Sequence, residues 1–497
     1  MEKFDLCVIG AGPSGFAAAM RGIDFGKKVA LIEKNRAGGA GIFNGALSSK
    51  TLWELSESYK VARSSDRGFS VRDVELSYSA VVNAMHSAVD NKYRQIREQI
   101  NYYQKKGDLS EFNGHAKLIS KNEIEITIAD GKTQTIWADK IVLAIGSRPR
   151  YLPDIPIDEK IILSSDAIAS LSDFPSSIVI LGAGVIGCEF ATIFSNFGKT
   201  KVFLIDKEER ILPSEDEDIA QSIATNLEQS GVVIHHGASL EKMSIVNGKV
   251  EYILNYKDGR HEIHTVDHAL ISVGRVANTE NLGLETVGVK LDSRGYCEDD
   301  LTQTSVDNIY AVGDFTADIS LVNVGELEGR YAVERIFGKP DRPLVYENIS
   351  TIMFLNPEVA SVGLNETQAR KKKISYKLAK MNYRYINRAI AMGDKGGFFK
   401  LLVSDDDEMK ILGMRVIGNH SSSTIQVLAL MISMGIGVAH LAELIFPHPS
   451  VPEGIQECAR MLMGKSIVKP EVFHIDIACY RVDANGRISD LHFPAAA

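Results

Sequence analysis

Short apolar runs that stop at a glycine are the most regular pattern along this chain. Residues 4–9, 141–145, 178–181 and 269–273 are almost wholly apolar, and a glycine follows each run. Near-continuous apolar runs of this length are typical of strands covered on both faces, as in parallel sheets. We therefore expect four buried strands that each end in a glycine turn.

The segments between these runs predict helices and further strands. Small and apolar residues dominate residues 16–25 and the segment from Gly187 to Phe197, which favours helices. The apolar runs at residues 28–33 and 201–206 predict strands. In residues 51–104, apolar and polar residues are mixed at helical spacing, with a break around residues 68–73. In residues 114–138, apolar and polar residues alternate with a period of two, as in a hairpin or meander. We therefore expect an α/β fold class, with two Rossmann-like dinucleotide-binding domains.

The first glycine turn has the spacing of a dinucleotide-binding loop. Gly10 allows a tight turn, Gly12 allows the backbone to approach a pyrophosphate, and Gly15 allows a helix to pack closely on the strand. The next predicted strand ends at Glu33, whose carboxylate can accept hydrogen bonds from ribose hydroxyls. Strand, helix, second strand and terminal acid all fall where this motif requires them.

The same unit is repeated from residue 177. Gly182, Gly184 and Gly187 reproduce the glycine spacing, and the following strand ends at Asp206. An acid at this position accepts from a free 2′-hydroxyl, whereas a 2′-phosphate needs cations. The loop therefore favours NADH over NADPH, although Lys207 and Arg210 lie close by in sequence. Two such units predict two bound dinucleotides.

Composition narrows the class of protein. The 497 residues are enough for several domains, and the net charge of −9 argues against a nucleic-acid surface or an anionic membrane patch. The five cysteines, residues 7, 188, 297, 458 and 479, form no C-x-x-C pair, which is ordinary for a reducing compartment. No metal-ligand pattern is evident.

One long apolar run raises the question of a membrane span. Residues 425–446 are largely apolar but contain Gln426, Ser433, His440 and Glu443, so we expect a buried core helix. The first strand begins so close to Met1 that we expect no signal peptide. These observations predict a cytoplasmic protein without a membrane span.

A glycine-rich crossing between strand and helix carries the most specific signal. Residues 36–51 resemble the active-site segment of the flavin disulfide reductases, the class I pyridine nucleotide-disulfide oxidoreductases such as dihydrolipoamide dehydrogenase, mercuric reductase and soluble transhydrogenase. The family pattern is Gly-Gly-Thr-Cys-x-Asn-x-Gly-Cys-x-Pro-Ser-Lys. Gly38, Gly39, Gly45, Ser49 and Lys50 match it, but the two redox cysteines fall on residues 41 and 46, which are Gly and Ala.

The resemblance implies a set of catalytic residues. Lys50 and Glu189 correspond to the family's Lys–Glu pair beside the flavin and the nicotinamide, where a cation stabilises negative charge. His448 and Glu453 correspond to the His-Pro-Thr-x-x-Glu motif, in which the partner subunit's histidine acts as a base oriented by the glutamate. Each pair can instead be purely structural.

The resemblance also implies residues that hold the flavin. Residues 304–314 are similar to the second flavin motif, in which the aspartate, here Asp314, holds the ribityl chain of FAD. Gly39 lies in the matched active-site segment. Gly146 follows the buried strand that ends the first half of the flavin domain in the family, and Gly274 follows the buried strand that returns the chain to that domain. The cofactors implied are FAD and NAD.

The resemblance covers residues 3–464 and implies the domain organisation. An FAD-binding domain is expected over residues 1–150 and 271–345, and an NAD(P)-binding domain over 151–270. A C-terminal α+β interface domain that forms a homodimer is expected over 346–464. Residues 465–497 form a C-terminal extension past the usual end of the family, with a possible strand pair around the turn at residues 483–486.

Three functions remain open at this point. The chain can be an FAD-dependent NAD(P)H oxidoreductase that passes electrons from NADH through the flavin directly to a non-thiol acceptor, either a quinone-like molecule or a second pyridine nucleotide. It can be a nucleotide-binding flavoprotein of low activity that works in interaction or redox sensing. It can also be like dihydrolipoamide dehydrogenase in similarity only. The missing cysteine pair argues against dithiol chemistry.

Overall fold

The computed structural model describes residues 1–64, 68, 71, 73–317, 319–393 and 396–491. Most of the predicted break at residues 68–73 and the last six residues of the extension lie outside the described residues. The chain divides into two compact units. The first contains residues 1–182, 240–255 and 260–344, and the second contains residues 183–239, 256–259 and 345–491.

The first 182 residues contain nine strands and four helices among those described. The strands are β1 (Glu2–Ile9), β2 (Val29–Glu33), β3 (Leu109–Asn113), β4 (His115–Leu118), β5 (Glu123–Thr127), β6 (Thr133–Leu143), β7 (Ser147–Pro149), β8 (Ile162–Ser164) and β9 (Ser177–Leu181). The helices are α1 (Pro13–Asp24), α2 (Gly39–Ile42), α3 (Ala46–Arg63) and α4 (Tyr78–Lys106).

The middle of the chain, to residue 344, continues the alternation. Its strands are β10 (Lys201–Ile205), β11 (Val233–Ile234), β12 (Ala238–Val246), β13 (Lys249–Tyr256), β14 (His261–Val266), β15 (His268–Ile271), β16 (Arg275–Ala277), β17 (Asp299–Asp300), β18 (Gln303–Thr304) and β19 (Ile309–Ala311). Its helices are α5 (Val185–Phe197), α6 (Glu217–Gln229), α7 (Leu284–Val287) and α8 (Val322–Phe337).

The C-terminal part is mainly one antiparallel sheet with short helices. The strands are β20 (Ser350–Met353), β21 (Val359–Gly363), β22 (Tyr376–Asn382), β23 (Phe398–Ser404), β24 (Ile411–Ile417), β25 (Ile477–Val482) and β26 (Ile488–Asp490). The helices are α9 (Glu366–Lys371), α10 (Asn387–Met392), α11 (Gln426–Met434), α12 (Val438–Ala442) and α13 (Glu453–Leu462).

A nine-stranded sheet forms the centre of the first unit. Its main path runs β17-β18-β19-β6-β1-β2-β3, with β4 and β5 attached at β6. Strands β19, β6, β1, β2 and β3 are parallel, and the apolar residues of β1 and residues 141–143 of β6 are buried, as their near-continuous apolar runs predict. The carboxyl ends of β1, β6 and β19 lie side by side, which places their three glycine turns at one edge.

Close packing of helices on this sheet depends on small residues. A Cβ at Gly22 of α1 would lie 2.8 Å from Leu6 Cδ2, and one at Gly325 of α8 would lie 3.2 Å from Ser14 Cβ. Helix α4 begins where the Ser77 hydroxyl accepts a hydrogen bond from the Ala80 amide at 3.3 Å, and it ends at Gly107 in the left-handed conformation. The first unit also holds the parallel strands β9, β15 and β8.

The second unit contains a seven-stranded sheet in the order β20-β21-β24-β23-β22-β25-β26. Helices α11, α12 and α13 cover one face of it through a core that includes Phe399, Met414 and Ile455. The predicted strand pair of the extension is confirmed as β25 and β26, which flank the turn at residues 483–486. β25 pairs with β22 over Ile477–Val482, so the extension continues the sheet of the preceding domain.

The expected core helix over residues 425–446 is wrong as a single element. Gly435 has φ 63° and ends α11, and α12 starts at Val438. Leu428, Met431 and Leu441 are buried, but Leu430, Met434 and Ile445 are exposed. Within the described parts of the chain, no helix is both long enough and apolar enough to cross a membrane.

Candidate functional site

The first glycine loop joins β1 to α1. Gly10 has φ 100°, and a Cβ there would collide with the carbonyl oxygen of Ala144, at the end of β6. A Cβ at Gly15 would collide with the carbonyl oxygen of Gly10, so this glycine lets α1 approach the loop. Gly12 has φ −66° and nothing lies within 4 Å of its Cβ position, so neither its conformation nor its protein neighbours require glycine. A bound pyrophosphate would need this open space, and the role of Gly12 in binding it stays a prediction.

The acid that ends β2 is held beside this loop. Glu33 is 9% exposed, and its Oε2 accepts a hydrogen bond from the Ala11 amide at 2.7 Å. Its Oε1 accepts from the Asn35 amide at 2.8 Å. The carboxylate is therefore fixed next to the glycine turn, where the predicted contact with ribose requires it.

The second glycine loop repeats this geometry. Gly182 has φ 102°, and a Cβ there would lie 2.5 Å from the Ser272 carbonyl oxygen; Gly184 has open space at its Cβ position. Gly187 is buried in the first turn of α5. Asp206 Oδ2 accepts from the Ala183 amide at 2.5 Å, as Glu33 accepts from Ala11. Both loops thus fit the dinucleotides that the sequence predicts.

A cation lies four residues beyond Asp206. Arg210 Nη2 donates to the Pro213 carbonyl oxygen at 3.3 Å, whereas its buried Nη1 has no hydrogen-bond partner among the described residues. The preference for NADH over NADPH, which rests on Asp206, stays a prediction.

Three carboxyl-end turns of the first unit meet at Asp314. Ser147, directly after Gly146, donates its hydroxyl to Asp314 Oδ2 at 2.6 Å. Arg275, directly after Gly274, donates from Nε to the Ser147 hydroxyl at 2.7 Å and from Nη2 to the Ser147 carbonyl oxygen at 2.8 Å. Arg275 Nη1 lies 3.4 Å from Asp166. Asp314 is thereby oriented by residues from two distant parts of the chain.

Gly146 and Gly274 both have positive φ, 63° and 103°. The Gly146 carbonyl oxygen accepts from the Asn278 amide, and the Gly274 carbonyl oxygen accepts from the Arg150 amide, both at 3.0 Å. These two hydrogen bonds hold the turns next to each other, and Ser147 and Arg275 are the residues directly after the two glycines.

The segment that resembles the disulfide active site packs against the first glycine loop. Gly38 donates its amide to the Ala11 carbonyl oxygen at 2.7 Å, and a Cβ at Gly39 would lie 3.1 Å from Gly12 Cα. A Cβ at residue 41 would collide with Pro13 Cγ and lie 3.3 Å from Pro13 Cδ. A proline ring therefore takes the side-chain space of residue 41.

Lys50 and Glu189 belong to different units, and their pairing stays a prediction. Lys50 lies in α3, and its Nζ is 3.4 Å from the Ser49 hydroxyl. Glu189 lies in α5, is 5% exposed, and accepts a hydrogen bond from the Phe354 amide at 3.0 Å. The buried Glu189 carboxylate thus has a hydrogen-bond donor within the second unit, as buried polar groups require.

His448 and Glu453 are brought together, as the motif predicts. Nδ1 of His448 lies 2.7 Å from Glu453 Oε1, and Glu453 Oε2 accepts from the Ser450 amide at 2.7 Å. Nε2 lies 3.5 Å from Asn387 Nδ2. The His448 side chain is 61% exposed. Its catalytic role stays a prediction.

The cysteines are placed as inert thiols. Cys7, Cys188, Cys297 and Cys458 are buried, and Cys479 is half-buried. Burial raises the pKa of each of these thiols, to about 12 for Cys297 and Cys479. None of the five lies in residues 36–51.

Sequence reasoning missed Ser147, Arg275 and Pro13. The first two each follow a glycine that ends a buried strand, and that position is a usable signal because polar groups there face the ligand edge of a parallel sheet. Pro13 gave no such signal, because its proximity to residue 41 arises only in the folded chain.

Comparison with known proteins identifies the family. The family model "Pyridine nucleotide-disulphide oxidoreductase" matches residues 4–329, and its dimerisation domain matches residues 349–459. The chain belongs to this family. It is a flavin-dependent oxidoreductase, and the family uses FAD and NAD(H), as the two loops predict.

Named relatives extend over almost the whole chain. A dihydrolipoyl dehydrogenase of Chlamydia muridarum is 35% identical over 474 residues, which cover 94% of this chain and 99% of the relative. A dihydrolipoyl dehydrogenase of Bacillus subtilis is 31% identical over 476 residues, with the same coverage.

Solved structures show the same fold. LpdA from Mycobacterium tuberculosis superposes with a TM-score of 0.84 at 26% identity, covering 93% of this chain and 100% of that chain. The HOCl-induced flavoprotein disulfide reductase RclA from Escherichia coli, in its Cu(II) complex, gives 0.83 at 26% identity with the same coverage.

Proposed function

We propose that this chain is an FAD-dependent NADH oxidoreductase that delivers electrons to a non-thiol acceptor, either a quinone-like molecule or a second pyridine nucleotide. The observation that carries the proposal is at residues 41 and 46, where the family's thiols are replaced by Gly and Ala and where Pro13 fills the space beside Gly41. Thiol–disulfide exchange needs a thiolate and a resolving sulfur within reach. Burial raises the pKa of the thiols of the cysteines that the chain does contain, and these cysteines lie outside residues 36–51.

Bound FAD would supply hydride acceptance from NADH and electron donation to the acceptor. Gly10, Gly12, Gly15, Glu33 and Asp314 would hold it. The second loop, with Gly182, Gly184, Gly187 and Asp206, would hold the nicotinamide nucleotide. Lys50 would stabilise the negative charge that develops on the reduced flavin.

His448 would carry the proton that the acceptor needs. Because Glu453 accepts a hydrogen bond from Nδ1–H, the neutral imidazole has its lone pair on Nε2, which can bind a proton, and the cation can donate that proton from Nε2. For a quinone the balance is NADH, one proton and quinone giving NAD⁺ and hydroquinone. His448 would act in the site of the partner subunit in a homodimer, which the dimerisation-domain match supports.

The test is anaerobic reduction of the purified flavoprotein with NADH, followed by rapid mixing with menadione, ubiquinone, lipoamide or thio-NADP. We expect reoxidation by a quinone or by the nucleotide, and none by lipoamide. Lipoamide-dependent NADH oxidation above a no-enzyme control would overturn the proposal. Failure of every acceptor would favour the nucleotide-binding flavoprotein of low activity.

A further inference from the structure

Exposed apolar side chains are concentrated in the first part of the C-terminal extension. Ile467, Val472 and Ile475 are 73%, 63% and 87% exposed. Single exposed apolar residues are ordinary on protein surfaces, but several in one short segment mark an interaction surface.

The segment is held firmly by its own unit. The Ile467 and Val468 amides donate to Glu457 Oε1 at 2.6 and 2.9 Å. The Phe473 ring packs on Tyr385 with 4.8 Å between centroids, and β25 follows in the sheet. The exposed side chains therefore project from fixed backbone, so little conformational entropy is lost when they become covered.

The extension lies beside the loop that carries His448. At one end, Lys465 Nζ lies 3.0 Å from Glu443 Oε1. At the other end, Tyr385, which contacts Phe473, is two residues from Asn387, and Asn387 Nδ2 lies 3.5 Å from His448 Nε2. The loop between these points contains Ile445, which is 100% exposed.

We propose that residues 465–476 and the loop 443–448 form one surface that binds a second copy of this chain, so that the extension enlarges the dimer interface. The proposal rests on the proposed homodimer. If His448 reaches the partner's site, the loop that carries it faces the partner, and the extension beside it faces the same way. The match to the family's dimerisation domain includes the loop 443–448 and ends at residue 459, so only the contribution of residues 465–476 is additional to that domain.

The charges of the segment allow a symmetric contact. Residues 465–476 contain Lys465, Lys469, Glu471 and Asp476, so the acidic and basic side chains balance. In a two-fold interface the same surface meets itself, and a balanced segment avoids repulsion between like charges.

The double variant Ile467→Ser, Ile475→Ser tests the surface. We expect the dimer dissociation constant, measured by sedimentation equilibrium of the FAD-loaded protein, to rise by at least ~10-fold, because exposed apolar anchors at an interface each contribute measurably. Ile263→Ser is the matched control, since Ile263 is 66% exposed on β14 of the first unit, and it should leave the constant unchanged. The FAD content should be unchanged in both.

A variant in the family's own dimerisation domain separates the two proposals. Leu430→Ser, at a side chain 55% exposed on α11, should also weaken the dimer. If it does so while the double variant dimerises as tightly as the parent, the extension is not part of the interface and the homodimer stands. If the parent chain is monomeric at micromolar concentration, the homodimer itself is wrong, and the role of the extension is wrong with it.

Discussion

Pro13 follows Gly12 at the start of α1 and lies against residue 41. The absence of a side chain at residue 41 is therefore matched by the packing around it. Val322 Cγ2, 3.6 Å from the same Cβ position, closes the space from the side of α8. Restoring the family's cysteine would thus require the surrounding structure to move.

We expect Gly41→Cys to destabilise the protein by about 1–3 kcal/mol, the usual cost of inserting atoms into a packed site. Ala46→Cys, at the first residue of α3, is the matched control and should change stability little. Chemical unfolding measures both. Pro13→Ala in the Gly41→Cys background should recover part of the loss, and a purely additive double-mutant cycle would show that Pro13 is not the obstacle.

Ser147 connects Asp314 to Arg275 through its hydroxyl, which donates to Asp314 and accepts from Arg275. Removing it would leave the Asp314 carboxylate without its orienting donor. We expect Ser147→Ala to raise the FAD dissociation constant by about 10- to 100-fold, the effect of losing a hydrogen bond to a charged group. FAD release on dilution, followed by flavin fluorescence, measures it.

The control for Ser147→Ala is Ser170→Ala, because the Ser170 hydroxyl bonds only locally, to the Ala167 carbonyl oxygen at 2.7 Å. It should retain FAD like the parent. Equal retention by Ser147→Ala would mean that Asp314 does not depend on this connection.

At the scale of elements, a buried lysine connects three parts of the second unit. Lys400 of β23 is 1% exposed, and its Nζ lies 2.8 Å from Asp216 Oδ2, 3.0 Å from Asp218 Oδ1 and 2.7 Å from Glu366 Oε2. The acids stand at the start of α6 and in the first turn of α9. Tyr480 of the extension reaches the same Glu366 at 3.3 Å.

The charges of this cluster set the direction of each pKa shift. Burial by itself would raise the pKa of Asp216 and Asp218, but Lys400 and the hydrogen bonds around the carboxylates bring the pKa of both below its usual value. Burial would lower the pKa of Lys400, and the carboxylates raise it overall. Since the carboxylate pKa values are lowered in the folded state, their stabilising contribution is present above about pH 4 and lost below it.

Lys400→Met would leave buried carboxylates without a cation. We expect a loss of about 3–5 kcal/mol at pH 7. The difference from the parent should shrink as the pH falls below about 4, because the parent progressively loses the contribution of its lowered carboxylate pKa values, whereas protonation removes the unpaired buried charge in the variant. Urea unfolding between pH 3 and 7 measures this.

Lys410→Met is the matched control, because Lys410 pairs with Glu408 on the surface and is 51% exposed; it should leave the unfolding midpoint unchanged. A loss from Lys400→Met that is the same at every pH would indicate packing instead of charge.

At the scale of the whole molecule, the proposed site needs two chains. Lys50 would act in its own subunit, and His448, exposed beside Glu453, would act in the partner. A homodimer arranged in this way has two sites, each built from both chains.

Mixing inactive variants tests this arrangement. In a heterodimer of Lys50→Met and His448→Ala chains, one site would combine both substitutions and the other would contain none. Random exchange of subunits should therefore restore about a quarter of the parent's acceptor reduction, since half of the dimers are mixed and each has one intact site. Sites built within single chains would give no recovery.

The local features of the fold could be predicted from the sequence. Backbone conformation and apolar spacing are short-range requirements, and they predict the glycine turns at Gly10 and Gly182 and the strands before them. They also predict the positions of the acids Glu33 and Asp206. The same holds for His448 and Glu453, which are five residues apart. Residues 425–446 were misjudged, because apolar content alone does not reveal the left-handed turn at Gly435.

Contacts between distant residues were decided only by the tertiary structure. Ser147 and Asp314 are 167 residues apart, and Arg275 and Ser147 are 128 apart; they meet because parallel strands place their carboxyl ends at one edge. Three further contacts depend on packing between segments that are distant in sequence. They are Pro13 against residue 41, Lys400 among three acids, and the extension paired with β22. Local backbone preference is encoded in neighbouring residues, whereas side-chain complementarity exists only once the chain has brought them together.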